Sequence, residues 1–216
     1  MHVPDGFIAP SVYIPAYIVD IGLLTYSLKS LKYKLNEDTL PLLSVLSALS
    51  FILMSITFPV LGGTSVHITG VALLSIVFGY WISFFSVSLI LFLQAVLFGE
   101  GGITSFPINS LAIAFFGSIA SAITFKVLNR FLKEDISAFF SGWLSINISA
   151  FLIAVVLGIQ PIIAHDDNCN PLYFPFGLNI TLSALVIPHI FAGFIEGFYT
   201  AIAYKILKKK RLFPYG

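Results

Sequence analysis

Seven apolar stretches, at about residues 10–30, 40–58, 66–79, 81–98, 108–130, 136–158 and 180–207, restrict what this chain can fold into. In hydrocarbon every backbone N–H and C=O must find an internal partner, so each run reads as a helix. A crossing takes about 20 apolar residues, or a few fewer when the helix is packed or tilted. Charged residues are only 10% of the chain and apolar ones 58%, against roughly 25% charged in an ordinary globular protein. Mean hydropathy is +0.99. The expectation is an all-α integral membrane protein with seven transmembrane helices, built as a single polytopic domain over residues 1–216. The third run is short and meets the fourth at GYWIS with no charged loop between them.

Basic residues orient such a chain, because short cytoplasmic loops collect Lys and Arg. All 11 lie in three groups: Lys29, Lys32 and Lys34; Lys126, Arg130 and Lys133; and Lys205, Lys208, Lys209, Lys210 and Arg211. With seven spans the groups share one side, the cytoplasm, which predicts an outside amino terminus and a cytoplasmic carboxyl terminus. A net charge of +1 gives no reason to expect a nucleic-acid partner, and the single Cys169 cannot form an internal disulfide. The predicted outer segments carry His2, His67 and His165 with Asp5, Glu100, Asp166 and Asp167, and no basic residue. A positive charge is welcome at that face.

The opening MHVPDG is the first candidate for binding one. No Lys or Arg precedes the first apolar run and no small-residue cleavage site follows it, which argues against a removable secretory leader. A free Met1 amine and the His2 backbone nitrogen close a five-membered chelate ring, and His2 Nδ1 closes a six-membered one. The three nitrogens lie near one plane and leave one corner of a square open. An N-rich planar site selects Cu(II) or Ni(II), and less comfortably Co(II). Deprotonating the amide makes binding weaken as pH falls. His67, in FPVLGGTSVHITG, lies at the same predicted face and can supply the fourth nitrogen. Gly62 and Gly63 permit close backbone approach, and Thr64 and Ser65 are placed to cap the helix expected after them.

MHVPDGFI, GGTSVHITG, LQAVLFGEGGIT and HIFAGFIEGFYTA, in this order and spacing, resemble the CbiM/NikM family, the substrate-binding membrane components of energy-coupling factor transporters for cobalt and nickel. The likeness runs from residue 1 to about residue 203. It implies an energy-coupling-factor S-component bundle with an extra amino-terminal helix, in the cell membrane of a prokaryote. It also implies Ni²⁺ or Co²⁺ as transported substrate, with no organic cofactor, held in a plane by the Met1 amine, the His2 amide and imidazole, and the His67 imidazole. The implied partners are a transmembrane coupling protein and a pair of cytoplasmic ATPases, often with a small auxiliary membrane subunit. The chain departs from the family pattern at Thr57, Glu100, Pro107 and Ala112, where the residues that orient the ligands are affected.

Asn109 reads equally as a helix cap or as a partner for the metal-carrying loop, with Thr64 and Ser65 in a similar supporting place. Glu100 reads as solvated, or as an attraction for cations. His165, Asp166, Asp167 and Cys169 mix hard and soft donors without fixed geometry, so a solvated loop is the simpler reading. Asp20, His189 and Glu196 fall within apolar runs, where ionisable groups are costly, and hydrogen bonding inside the bundle accounts for each. His189 and Glu196, seven residues apart, share a helix face about 10 Å apart along the axis. Gly193, Gly197 and Ala201 recur every fourth residue, as close helix packing requires.

A membrane metalloenzyme centred on His189 and Glu196, or a metal-sensing receptor, are the competing functions. The chain has no HExxH pair, four planar nitrogens leave no open position for catalytic water, and the short basic tail RLFPYG offers no signalling domain. Nor does it have a Walker A GK[ST] sequence, so transport energy must come from partners.

Overall fold

The computed structural model describes residues 2–34, 36, 37, 39–60 and 64–213. Nine α-helices, a π-helical segment and a two-stranded hairpin are present among them. Five helical stretches are long and apolar enough to cross a membrane: Pro10–Tyr33, Tyr80–Phe98, Phe106–Leu128, Glu134–Ile163 and Leu178–Lys209. They correspond to α1 (Pro10–Lys34), α4 (Tyr80–Phe98), α5 (Phe106–Asn109) continued by the π-helical Ser110–Phe116 and α6 (Gly117–Leu128), α7 (Glu134–Gly158) with α8 (Gln160–Ile163), and α9 (Leu178–Lys209).

Of the seven expected spans, five reach the length of a crossing among the described residues, and the second and third are shorter. Helix α2 (Thr39–Ser55) has 17 residues, about 26 Å at 1.5 Å per residue, a little under a hydrocarbon core of about 30 Å. Helix α3 (Val71–Phe78) has 8 residues, about 12 Å, and cannot cross alone. Nor is the described chain wholly α. Strands β1 (Phe58–Val60) and β2 (Thr64–Val66) pair antiparallel with Phe58 opposite Val66, Pro59 opposite Ser65 and Val60 opposite Thr64. The cause is local. Val66, Ile68 and Thr69 are β-branched and favour extended backbone, and Gly70 turns with φ 69°, a left-handed conformation that suits glycine. A Cβ at Gly70 would fall 2.3 Å from Ser50 Oγ, so this turn is wedged against α2. Gly79, with φ 86°, separates α3 from α4 at the expected GYWIS boundary.

The interior is apolar but laced with serines, as suits a bundle with no hydrophobic drive between helices. Ser118 Oγ donates to Ser83 Oγ at 2.7 Å, Ser75 Oγ to Ser118 O at 2.7 Å, and Ser145 Oγ to Gly117 O at 2.8 Å. Helices α7 and α9 meet over small residues. A Cβ at Gly197 would lie 2.8 Å from Phe139 O and one at Gly193 2.6 Å from Asn147 Nδ2, so these two glycines pack internally. Asp20 is buried and accepts from Ser110 Oγ at 2.8 Å, and Ser110 Oγ lies 2.7 Å from Ser88 Oγ on α4.

The two ends of the bundle differ in chemistry. At one, Glu134 pairs with Lys208 and accepts from Tyr204 Oη at 3.0 Å, joining α7's start to α9's basic end. At the other, the amino-terminal arm folds across the bundle: the Ala9 N–H donates to Gln160 Oε1 at 2.9 Å, and Asp5 accepts from Ile103 and Thr104.

Candidate metal centre

Two histidines 65 positions apart in the sequence are brought ring to ring at the arm end. The His2 and His67 centroids lie 4.6 Å apart with planes inclined by 41°. Only 4% of the His2 side chain is exposed and 2% of His67. Among the described residues both nitrogens of both rings are buried with no hydrogen-bond partner, His2 Nδ1 having only Glu100 at 3.6 Å. Buried polar atoms are nearly always paired, so two neighbouring rings left unpaired need a reason. Burial holds the His2 imidazole below the ordinary value of 6.5, with nearby Glu100 only partly opposing it. His67, in the connection ahead of α3, is pushed well below it by burial and by His2. Both rings are thus kept neutral, the state in which imidazole binds a metal.

The His2 arm is held by a loop. Val3 is buried; its N–H donates to Asn109 Oδ1 at 2.9 Å, and its carbonyl accepts from Asn109 Nδ2 at 3.0 Å and from the Ser105 hydroxyl. Asn109 is therefore the clamp on the amino-terminal arm and not a helix cap. Two residues on from Val3, Asp5 accepts the N–H groups of Ile103 at 3.1 Å and Thr104 at 2.7 Å, together with the Thr104 hydroxyl. Burial pushes the Asp5 carboxyl up, but the donors from Thr104, Ile103 and Ser105 outweigh it and hold the carboxyl below 3.8. The arm can come this close because the loop is glycine-rich. A Cβ at Gly102 would lie 2.2 Å from Asp5 Oδ1, and one at Gly101, where φ is 83°, 3.5 Å from His2 Cβ.

Thr64 and Ser65 do not cap α3, contrary to expectation: they belong to β2, and α3 begins six residues after Ser65. Its first N–H, from Val71, is met by Thr69 Oγ1 at 3.3 Å, and from α9 Glu196 accepts the N–H groups of Thr69 and Gly70. Ser105, Asp5 and Glu196 are the supporting residues that sequence reasoning did not place at the site. The GEGGIT run was the available signal for the first two, and Glu196 carried none, being far away in the chain. Met1, Gly62 and Gly63 lie outside the described residues. Glu100 Oε1 is 3.6 Å from His2 Nδ1, so it borders the site as well as solvent.

The other candidates separate from the centre. Asp166 accepts from the N–H groups of Asn168 at 2.9 Å and Asn170 at 2.8 Å, and from Asn170 Nδ2 at 3.0 Å, closing its own loop beside the exposed Cys169. In α9, His189 Nδ1 donates to Leu185 O at 2.6 Å, and both carboxylate oxygens of Glu196 are occupied by Thr69 and Gly70. Glu196 is thus not a free base for hydrolysis. Among the described residues no group of three or more His, Cys, Asp or Glu side chains is placed to hold a metal. Nitrogen donors from His2, His67 and backbone are what this end of the molecule offers.

These features define a multi-pass membrane protein with two buried imidazoles in contact at one end of its bundle. The family model for the cobalt uptake substrate-specific transmembrane region matches residues 2–212, and the chain belongs to that family. It is 31% identical over 97% of its length to the probable fused nickel transport protein LarMN of Lactiplantibacillus plantarum, and 32% identical over 93% to the fused nickel transport protein NikMN of Rhodobacter capsulatus. It spans 65% and 60% of those two longer proteins. A crystal structure of a truncated transition metal transporter, 32% identical, superposes with a TM-score of 0.93 over 97% of this chain and 99% of that one.

Proposed function

We propose that this protein is the substrate-binding membrane component of an energy-coupling factor transporter that takes up Ni²⁺ or Co²⁺. The Met1 amine, the His2 amide nitrogen and imidazole Nδ1, and the His67 imidazole hold the ion in a plane. The observation that carries the reading is the buried pair of imidazoles in ring-to-ring contact, without hydrogen-bond partners among the described residues. Metal coordination uses the one lone pair of each neutral ring and removes the cost of leaving it dry. The names of the relatives, which are nickel transport proteins, support the same ion class. Planar four-nitrogen coordination favours Ni²⁺ over Co²⁺.

The arm end faces outward, as the basic residues at the opposite end require, so the ion is captured from outside. A transmembrane coupling protein and a pair of ATPases on the cytoplasmic side supply the energy, with or without a small auxiliary membrane subunit. The metal-binding chain alone then binds but does not pump.

Titration of Ni²⁺ into the purified full-length protein in detergent tests this reading. Tight one-to-one binding with release of protons is expected, and His67→Ala should lose it. Wild-type affinity in His67→Ala would move the site elsewhere.

A further inference from the structure

We propose that Glu196 is a positioning residue for the metal site: from α9 it anchors the backbone behind His67 and so sets how nearly planar, and how selective for nickel, the site is. The inference rests on the reading above of His67 as a ligand.

Glu196 is fully buried within the apolar bundle, and its carboxylate makes three contacts with one short stretch of chain. Oε2 accepts the Thr69 N–H at 2.6 Å, and Oε1 accepts the Gly70 N–H at 2.9 Å and the Thr69 hydroxyl at 3.0 Å. The first N–H groups of a helix have no partner inside it, and Thr69 Oγ1 accepts that of Val71, the first of α3, at 3.3 Å. Glu196, 127 positions away, holds that same hydroxyl and the N–H groups of the two residues that lead into the helix. A buried charge-bearing group is expensive unless its bonds are completed, and here every contact is made to the segment that begins two residues after His67.

Neither partner in this contact is free to drift. The Glu196 carbonyl accepts from Thr200 Oγ1 at 2.7 Å, and a Cβ at Gly142 on α7 would come within 2.9 Å of that carbonyl oxygen, so the α9 backbone is seated directly on α7. On the other side, the Gly70 turn leaves no room for a Cβ against Ser50. Among the described residues the His67 ring has no hydrogen-bond partner. Its direction is inherited from the backbone of residues 67–70, and that backbone is held by Glu196. A planar ion needs its fourth nitrogen in a fixed place, whereas Zn²⁺ accepts tetrahedral displacement. Glu196 is thus the side chain through which the closely packed α7 and α9 define the coordination plane.

The test uses the full chain in detergent, with Ni²⁺ and Zn²⁺ titrated separately and the visible absorption band of planar Ni²⁺ recorded at saturation. Glu196→Gln keeps the volume but turns an amide NH₂ towards an N–H donor. It should weaken Ni²⁺ binding by about 10- to 100-fold, the usual cost of losing a residue that orients a ligand. It should also shift the band and narrow the preference for Ni²⁺ over Zn²⁺. Thr69→Val removes only the hydroxyl contact, so a smaller change in the same direction is expected, restored by Thr69→Ser. A merely structural role would lower the melting temperature and leave the band where it is.

Wild-type affinity and band in Glu196→Gln would overturn the proposal while leaving the metal site intact. Should that variant fail to fold, an unchanged band and affinity in Thr69→Val would overturn it equally. A wild-type protein without a planar Ni²⁺ band would instead refute the metal reading, and this inference with it.

Discussion

His2 and His67 are carried to the same pocket by two unlike supports. His2 rides on an arm of a few residues, clamped by Asn109 and Ser105 at Val3 and by exposed contacts from Asp5 to Thr104 and Ile103. His67 sits at the junction of a hairpin and a half-helix, anchored from inside the bundle by Glu196 and wedged by Gly70 against Ser50. The arm too is seated, with Val3, Ile8 and Ala9 buried. The comparison sets an anchor from inside the bundle against a clamp from one loop, and single-half variants test whether the arm is the half that closes over the ion.

Variants that break one half at a time sharpen this contrast. The largest losses belong to the ligands. Either His2→Ala or His67→Ala should reduce Ni²⁺ affinity by more than the roughly 10- to 100-fold that losing a residue behind a ligand costs. Calorimetric titration checks both, and an undiminished affinity in either would remove that ring from the site. Next comes Asn109→Ala, which strips Val3 of two hydrogen bonds at a buried position. Each unsatisfied buried group costs about 1–3 kcal/mol, so Ni²⁺ affinity should fall about tenfold or more. If the arm is the closing half, the loss appears as faster dissociation in stopped-flow chelator chase, and an effect on association alone would contradict it.

Asp5→Asn should act more weakly, because its contacts are exposed. Its folded-state pKa lies below 3.8, so the contribution is present above that value and is lost only as pH falls through it. From about pH 5 to pH 8 the affinity curves of wild type and Asp5→Asn should therefore run parallel, both falling towards acid as protons compete for the nitrogens. Curves that converge within that range would show that another group governs the arm. Least affected should be His165→Ala combined with Cys169→Ser. Asp166 already closes its loop onto Asn168 and Asn170, so Ni²⁺ affinity is expected within about twofold of wild type, and a large loss would place a metal contact in that loop.

Features that depend on local chemistry were legible in the sequence. Apolar runs mark the helices, and the α3–α4 break stands at Gly79 as expected. His2 and His67 could be paired from chelate chemistry, the predicted face and family resemblance. Asn109 stands out too, and its side chain makes two bonds to Val3. What stayed hidden depends on contacts between distant residues. An apolar run cannot show that Thr64–Val66 pairs with Phe58–Val60 rather than entering a helix, because β-branched residues serve in either within a buried segment. Nothing near Thr69 announces that the carboxylate holding it stands 127 residues away. Ser105 looks like any loop serine until the arm folds over it.

The central claim is that the arm contributes its own terminal nitrogens together with His67. Its most direct test is Ni²⁺ titration of a protein beginning at Met1 beside one carrying a single residue ahead of it, which turns the amine into an amide. Tight one-to-one binding by the first, with a planar Ni²⁺ spectrum, and its loss in the second is the predicted result. Equal affinity and identical spectra in the two proteins would contradict the account and make the opening residues a structural plug.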